Sequence, residues 1–461
     1  MDKVFKGRTP IYYDVEEVTK DNISALMTYA TEIHNVNSLD CNYLYNYYKG
    51  CQPIVGKTNE VRSEINNIII ENRANEIVSF KTGYLMGEPI QYVSRNGSEE
   101  QTLRINKLNT YCNFDSKANK DRELAEWFYI CGTAYRLVLP AKKGSRIPVK
   151  TSVLNPANTF VVYKNDIDRE PLLGVIKATS GTAGMSQVKY YAYSKDMYFE
   201  LDETYNIIKS EAHLLGAIPI IEYPANNART GAFEIVITIL DAINRLQSDR
   251  LDAVDMFVQA LLVFKNAQLP EGQTLADIKK EGGLFLPKES EVSYLTQELN
   301  QQQTQILADT MYQSVLTICG MPNRNGGSST SDTGVAVIMR DGWSAAEARA
   351  KDQELMFKQS EQTALDLMCN IINTIDKDNL DVTDIDIRFT RRNYDNISEK
   401  STVLATMLAN NKIHPKLAFE YCGMFPDSDL AYTISQKYYD ENVKQQVEAL
   451  EEVEKVELVN E

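Results

Sequence analysis

The stretch KTGYLMGEPIQY, residues 81–92, marks an abrupt change in the local character of the chain. Upstream, the apolar residues of 61–80 recur with the period of a helix. Gly83 and Gly87 permit backbone angles that other residues avoid, and Pro89 favours extended geometry in the residue before it. The stretch therefore predicts the end of a helix and the start of extended chain.

Outward from this point, the first half of the chain mixes helical and strand-like patterns. Residues 15–50 are helix-like and aromatic, and a further helix is predicted around 117–131. From 135 to 223, short runs such as FVVY at 160–163 are rich in β-branched and aromatic residues and are separated by Asn-Pro and Gly. This part is predicted to be a mixed α/β region.

Two long amphipathic helices are predicted in the second half. Residues 232–269 contain no Gly and no Pro, and their apolar spacing predicts a helix from about Phe233 to Met256. A second helix is predicted from about Thr296 to Cys319, where Gly320 and Pro322 end it. Strand and turn signals lie between the two helices, which predicts a pair of helices with an elaborated tip.

The remainder alternates between a polar loop and further helices. NRNGGSSTSD at 323–332 is a Gly/Ser loop, and a long helix is predicted over about 333–374 with an interruption at Gly342. An alternating strand at 385–389 and a helical region follow, and the chain finishes in the acidic tail 448–461.

Composition limits the classes of protein that the chain can belong to. Its 461 residues, 43% of them hydrophobic, are enough for more than one core. The net charge of -16 argues against tight wrapping of nucleic acid through neutralised phosphates. No secretion-signal layout and no run of 18 apolar residues is found, and the seven cysteines include no CxxC pair, so we expect a soluble cytoplasmic protein with reduced thiols.

Motifs that would carry catalysis are weak. Residues 50–58 resemble a phosphate loop but have five residues between the glycines, include Pro53, and follow a predicted helix instead of a strand. The acidic run 376–381 has no Gly at the place where a calcium loop needs one. With three histidines and no HExxH, zinc-spaced Cys/His cluster or GxSxG motif, the sequence predicts no enzyme, no cofactor and no metal site.

Five motifs, spread in one order over about residues 60–425, resemble those of the portal proteins of long-tailed (siphophage-type) double-stranded-DNA bacteriophages. They are the predicted helix Asn66–Phe80 with residues 81–92; Gly132–Tyr135; Asn155 and Pro156 before FVVY; Ile218 and Pro219, followed by Asn226, Asn227 and the helix that carries Asp241 and Ser248; and Met321 and Pro322 with Ser331–Val337 opening a long helix.

The resemblance implies an α+β fold that is mainly helical and divided as in portal subunits. Its parts would be an α/β wing over 1–230, a first stem helix over 231–257, a small α/β clip over 258–295, a second stem helix over 296–320, a tunnel-loop region over 321–345, a long helix and strand returning to the wing over 346–389, a helical crown over 390–447, and the acidic tail over 448–461.

The resemblance also implies function and partners. Such subunits form a ring, about twelve copies in the virion, at one capsid vertex, where the channel passes double-stranded DNA without sequence specificity during packaging and ejection. The implied partners are the large terminase subunit, the major capsid protein, the scaffolding protein and the head-tail adaptor, with no membrane. The protein would lie in the host cytoplasm during assembly and then at the portal vertex of the virion.

Two groups of residues are implied as functional sites. Candidates for the DNA channel and tunnel loop are Asn323, Arg324, Asn325, Arg340, Asp341, Arg245 and Arg250. For the arginines, a salt bridge with a neighbouring aspartate such as Asp241 or Asp249 is an equally open interpretation. Trp343 is expected to anchor the end of the loop on the wing. Candidates for docking the terminase and adaptor are Lys279, Lys280, Lys288, Glu289 and Glu291.

Two other interpretations stay open at this point. One is a different ring-forming head or connector protein with a purely structural role. The other is a nucleotide-dependent enzyme, for which the imperfect loop at Gly56 and Lys57 is the best sign. A closed ring would favour the portal interpretation, and a monomer with a cleft would oppose it.

Overall fold

A computed structural model describes residues 7–59, 63–95, 99–180, 187–258, 261–265, 291–295, 301–323, 342–390, 397–425 and 428–444. Several predictions concern residues outside these ranges: Arg324, Asn325, Arg340, Asp341, Lys279, Lys280, Lys288, Glu289 and the tail 448–461. Glu291 lies in a described strand, but its side chain is not described.

Helices make up about half of the described residues. In chain order they are α1 (Ile23–Tyr48), α2 (Arg73–Leu85), α3 (Glu99–Phe114), α4 (Lys117–Cys131), α5 (Ile237–Val258), α6 (Gln301–Cys319), α7 (Trp343–Asp376), α8 (Ile397–Leu408), α9 (Pro415–Cys422) and α10 (Ser428–Tyr438).

The strands lie mostly between α4 and α5. They are β1 (Ile11–Tyr13), β2 (Gln91–Ser94), β3 (Thr133–Pro140), β4 (Val149–Leu154), β5 (Thr159–Lys164), β6 (Pro171–Ser180), β7 (Gln187–Tyr193), β8 (Met197–Leu201), β9 (Ile207–Ala212), β10 (Ile220–Pro224), β11 (Leu261–Lys265), β12 (Glu291–Leu295) and β13 (Ile385–Arg388).

Sheets connect distant parts of the chain. The largest has the order β1-β5-β6-β7-β8-β9, in which only β1 pairs in parallel, with Ile11 opposite Val162. A second sheet has the order β10-β3-β4, and β13 pairs antiparallel with β2. Between α5 and α6, β11 pairs antiparallel with β12. The predicted α+β class is therefore confirmed.

Helix α1 contributes to two hydrophobic cores. Its first half packs Ile23 and Leu26 against the six-stranded sheet. Its second half packs Leu44 and Tyr47 into the main core, which also holds buried side chains of α2, α4, α5, α6 and α7. Helix α5 is the first of the two long amphipathic helices that the sequence predicted. A 3-10 turn, Glu234–Val236, precedes it, and the chain is α-helical from Ile237, close to the predicted start.

One pattern in the first half was interpreted wrongly. Residues 63–72 are not helical, and α2 begins only at Arg73, after Asn72 with a φ of 36°. The strand-like runs predicted between 135 and 223 are confirmed, since FVVY lies in β5.

Candidate functional site

The segment before α2 is extended because it runs along α5 and hydrogen-bonds to it. The backbone N–H groups of Asn67, Ile69 and Glu71 donate to side-chain oxygens of Asp252, Ser248 and Asn244, at 2.7, 2.9 and 3.0 Å. The donors are every second residue of the extended segment, a rise of about 6.6 Å, and the acceptors are every fourth residue of α5, a rise of about 6 Å. The spacing of the donors therefore matches that of the acceptors. This ladder satisfies backbone groups that a helix would otherwise have bonded internally.

The phosphate-loop-like stretch is part of the same support. Residues Pro53–Gly56 form a 3-10 turn after α1, as an ordinary turn would. The Lys57 ammonium lies 2.8 Å from an oxygen of Asp249 and 2.7 Å from one of Asp252. Lys57 therefore holds the turn on α5 and is already neutralised by two carboxylates, which argues against a role in binding phosphate.

Near the end of α2, where the stretch KTGYLMGEPIQY begins, aromatic side chains of this helix contact the start of α7. The ring centroid of Trp343 lies 6.0 Å from that of Phe80 and 6.2 Å from that of Tyr84. The Tyr84 hydroxyl donates to Glu347 at 2.7 Å. Helix α2 thus fixes the first turns of α7, in the place where Trp343 was expected to be an anchor.

The end of α6 lies at the same junction. Gly320 has a φ of 64°, which favours glycine, and a Cβ placed on it would approach Cδ of Arg349 to 2.3 Å and displace that side chain. The Arg349 guanidinium donates to the carbonyl of Ile318 in the last turn of α6. A Cβ built on Gly342 would lie 3.9 Å from Cα of Pro322. The chain therefore returns at Gly342 to the place that it left after α6.

The arginines proposed for the channel differ in their contacts. Arg245 is exposed on α5. Arg250 donates to Gln247 on its own helix and to Gln305 on α6, both at 2.9 Å. The two aspartates offered as alternative partners have other contacts, since Asp249 pairs with Lys57 and Asp241 accepts from the Tyr47 hydroxyl at 2.8 Å. Asn323 accepts from Gln313 of α6 at 3.3 Å.

The large apolar side chains of α5 and α6 are fully buried near one end of the helix pair. Leu240 and Ile243 of α5 and Val315 and Leu316 of α6 lie in the main core. Further from the core, apolar side chains are partly exposed, and these are Leu251, Val254 and Met256 on α5 and Ile306 and Leu307 on α6. Such a face fits contact with other protein surface.

Helix α7 is held to the rest of the fold by a buried ionic network. A Glu361 oxygen lies 2.8 Å from the Lys117 ammonium of α4 and another 3.3 Å from the Arg136 guanidinium of β3. Asp121 of α4 pairs with both cations. The hydroxyls of Tyr92 and Tyr223 donate to Glu361 at 2.6 and 2.7 Å.

These contacts control the ionisation of Glu361. Burial alone would raise the pKa of its carboxyl, but Arg136 and Lys117 outweigh this effect and hold the pKa well below its ordinary value. The network contains two cations and two carboxylates, all nearly inaccessible to solvent. It therefore fixes α7 against α4 and against the strands β2, β3 and β10 without leaving a net buried charge.

Two kinds of site are absent from the described residues. No helix there is both long enough and apolar enough to cross a membrane. Over the same ranges, no group of three or more His, Cys, Asp or Glu side chains is placed to hold a metal ion.

Comparison with known families identifies the chain. The family model described as "Phage portal protein, SPP1 Gp6-like" matches residues 29–456. The chain belongs to this phage portal protein family. The resemblance inferred from the opening stretch and the four later motifs is thereby confirmed, and the match also extends into α1 and past α10, beyond the span of those motifs.

Other comparisons add less to the assignment of this portal-family chain. It is similar to a solved structure titled "Neck of empty GTA particle computed with C6 symmetry", at 11% identity and a TM-score of 0.45 over 77% of this chain and 90% of that one. A TM-score this low does not by itself establish a common fold. A search of curated proteins finds no match.

Sequence reasoning missed the residues that hold the segment before α2 and helix α7 in place. The roles of Lys57, Asp252, Arg136 and Glu361 depend mainly on contacts between distant parts of the chain, such as Lys57 with Asp252, 195 positions apart, and Arg136 with Glu361, 225 positions apart. One signal was available, because Glu361 falls among apolar residues on the buried side of α7 and a charged residue there needs a partner.

Proposed function

We propose that this portal-family chain is one subunit of a closed ring of about twelve copies at a capsid vertex, whose channel passes double-stranded DNA during packaging and ejection. Membership of the family over residues 29–456 supports the proposal most strongly. The net charge of -16 supports a channel that repels the phosphate backbone and lets the duplex slide.

The division into portal parts follows from the same proposal. Residues 1–230 form the wing, α5 and α6 form the stem, 258–295 form the clip, and the region from 390 to 447 forms the crown. The exposed apolar side chains of α5 and α6 support the stem assignment, because they would pack on neighbouring subunits. The antiparallel pair β11 and β12 between these helices supports a separate clip.

Residues 324–341 are proposed to reach the channel as the tunnel loop. The closeness of Gly342 to Pro322 supports this, since a segment with both ends at one point can project from the wall without displacing either helix. The aromatic contacts of Trp343 and the Arg349 contact with α6 would keep its base rigid. Arg324, Asn325, Arg340 and Asp341 belong to this proposed loop.

Among the described channel candidates, Arg245 suits a transient phosphate contact best, because it is exposed on α5. For Arg250, the two hydrogen bonds to glutamines favour a brace between α5 and α6. Docking of the large terminase subunit and later the head-tail adaptor is proposed for the clip residues Lys279, Lys280, Lys288, Glu289 and Glu291. Capsid and scaffolding proteins are the remaining proposed partners.

The ring is tested by native mass spectrometry with negative-stain images of the purified protein. We expect a closed ring of about a dozen subunits with a central channel wide enough for a duplex. A monomer with a cleft, at concentrations well above those of assembly, contradicts the proposal. A ring without a duplex-wide opening favours another structural connector. Purified protein that hydrolyses ATP at motor-like rates contradicts the expectation that the chain is not an enzyme.

A further inference from the structure

Lys81, the first residue of the stretch KTGYLMGEPIQY, is buried without a counter-charge. Its side chain is 9% exposed on α2. In the part of the chain that the structure describes, its ammonium has no hydrogen bond or ion pair, and it lies 6.0 Å from the ring centroid of Tyr129. A buried cation without a partner costs free energy, so a group that pairs with it is expected.

Lys81 lines a cavity of about 370 Å³ at the junction of α2, α6 and α7. Arg349 also lines this cavity, so two cationic side chains meet there. Asp352 is the carboxylate among the lining residues, but it is exposed and pairs with neither cation in the described structure. Burial, together with the nearby Arg349, lowers the pKa of Lys81 to about 8, at which the ammonium still predominates at neutral pH. The cavity therefore has the charge of an anion site.

The lining of the cavity combines exposed apolar side chains with uncharged polar ones. Ile235 is 58% exposed and Ile318 is 38% exposed, and both line the cavity with Met356, whereas Asn226, Asn227, Thr230 and Gln353 supply the polar part. A site for nucleic-acid phosphate would be expected to carry more basic groups than Lys81 and Arg349 and fewer exposed apolar side chains. Apolar side chains around a recessed charge are typical of the centre of a protein–protein contact.

The composition indicates which protein supplies the anion. With 64 Asp and Glu against 48 Lys and Arg, a second copy of this chain presents a surface rich in carboxylates. We propose that an Asp or Glu side chain of a second copy of this chain enters the cavity and pairs with Lys81 and Arg349. This inference rests on the proposed ring, and it assigns to the α2–α6–α7 junction a contact between neighbouring subunits.

Zero-length carbodiimide cross-linking of mixed rings tests the proposal directly. Unlabelled and ¹⁵N-labelled subunits are mixed before assembly, the rings are cross-linked, and linked peptides are sequenced by mass spectrometry. We expect Lys81 joined to an Asp or Glu, with about half of these peptides pairing one labelled and one unlabelled partner. Lys57 is the internal control, because its links to Asp249 or Asp252 lie within a subunit and carry a single label.

Several outcomes overturn the proposal. Links of Lys81 that carry only one label, including any to Asp352, mean that the carboxylate comes from the same subunit. A Lys81 amine that acetylates as fast in the ring as in the isolated subunit means that nothing covers it. If rings form in either case, the proposed function stands and this inference alone fails; if no ring forms, both fail.

A matched pair of variants gives a second readout. Lys81→Met removes the charge, and we expect it to raise the concentration at which rings dissociate by about tenfold or more. Lys81→Arg keeps the charge and should shift that concentration by less than about threefold. Equal ring stability for wild type and both variants contradicts an ion pair between subunits, provided that circular dichroism shows each variant folded.

Discussion

Two buried basic side chains meet helix α7 in different ways. Arg136 is fully buried and pairs with Glu361 and Asp121, both from its own subunit. Lys81, nearly as buried, has no such partner among the described residues and lines a cavity. The subunit neutralises the charge that holds its own fold together. It leaves unneutralised the charge that lies at the junction proposed to contact a neighbour.

Removing the charge of Glu361 would leave two buried cations, Arg136 and Lys117, with the single carboxylate of Asp121. We expect Glu361→Gln to lower the free energy of unfolding by about 3–5 kcal/mol, because Arg136 and Lys117 would lose one of their two shared carboxylates in a dry core. Urea unfolding followed by circular dichroism measures the change. Asp366→Asn, on the exposed side of the same helix, is the control and should cost less than about 0.5 kcal/mol. Equal losses for the two variants would show that the network is not what fixes α7.

His34 on α1 represents a third solution, in which the buried group gives up its charge. Burial lowers the pKa of His34 to about 4 from 6.5, and its Nε2 lies 3.1 Å from the carbonyl of Ala157. Below pH 6.5 the unfolded chain binds a proton here that the folded chain does not bind until about pH 4. Stability should therefore fall as the pH drops through this window, by about 3 kcal/mol in total.

His34→Gln isolates this contribution. The variant should lose less stability than wild type between pH 7 and pH 4, as measured by urea unfolding at a series of pH values. Its unfolding above pH 7 separately gives the cost of the altered contact with Ala157. A variant with the same acid slope as wild type would contradict the role of His34.

Asp252 differs from Glu361 in one respect: its carboxylate is buried, but the Lys57 ammonium with which it pairs is partly accessible to solvent. Asp252→Ala removes the ion pair with Lys57 and the acceptor for the Asn67 backbone, and we expect a loss of about 2 kcal/mol. Asp249→Ala removes the other carboxylate of the same lysine, which is exposed, and should cost less than about 1 kcal/mol. Thermal unfolding of both variants compares them; the reverse order would contradict the ladder along α5.

Among these variants, controls apart, the smallest change in the free energy of unfolding is expected for Lys81→Met, and it should be an increase. In the isolated subunit, Lys81→Met replaces an unpaired buried charge with an apolar side chain and should raise the free energy of unfolding by about 1 kcal/mol. The measurement is chemical unfolding below the concentration at which rings form. A clear loss of stability would show that Lys81 supports its own subunit, and the contrast with Arg136 would disappear.

Local patterns predicted the elements that one segment forms by itself. Gly342, predicted as an interruption, is the N-cap of α7, Gly320 follows the end of α6 as predicted, and the FVVY run lies in β5. The helix α3 was missed because its apolar residues do not share one face: Leu108 is buried, whereas Leu103 and Phe114 are exposed. The portal motifs added the family, which no helix or strand pattern specifies.

Contacts between distant segments could not be predicted in this way. The isoleucines of 65–69 have a spacing that favours a helix, yet the side chains of α5 bind the backbone of that segment in extended form. Likewise, Lys81 lies in an ordinary helical stretch, and only the approach of α6 and α7 buries it. The divisions into wing, stem, clip and crown and the channel and docking residues remain predictions.

Electron cryomicroscopy of the purified protein tests the central claim most directly. The account predicts a closed ring of about twelve subunits, with α5 and α6 around the axis, Gly342 and Pro322 facing the channel, and the cavity at Lys81 filled by a carboxylate of the adjacent subunit. A monomer, or a ring in which the helix pair and the base of residues 324–341 lie on the outer surface, would contradict it.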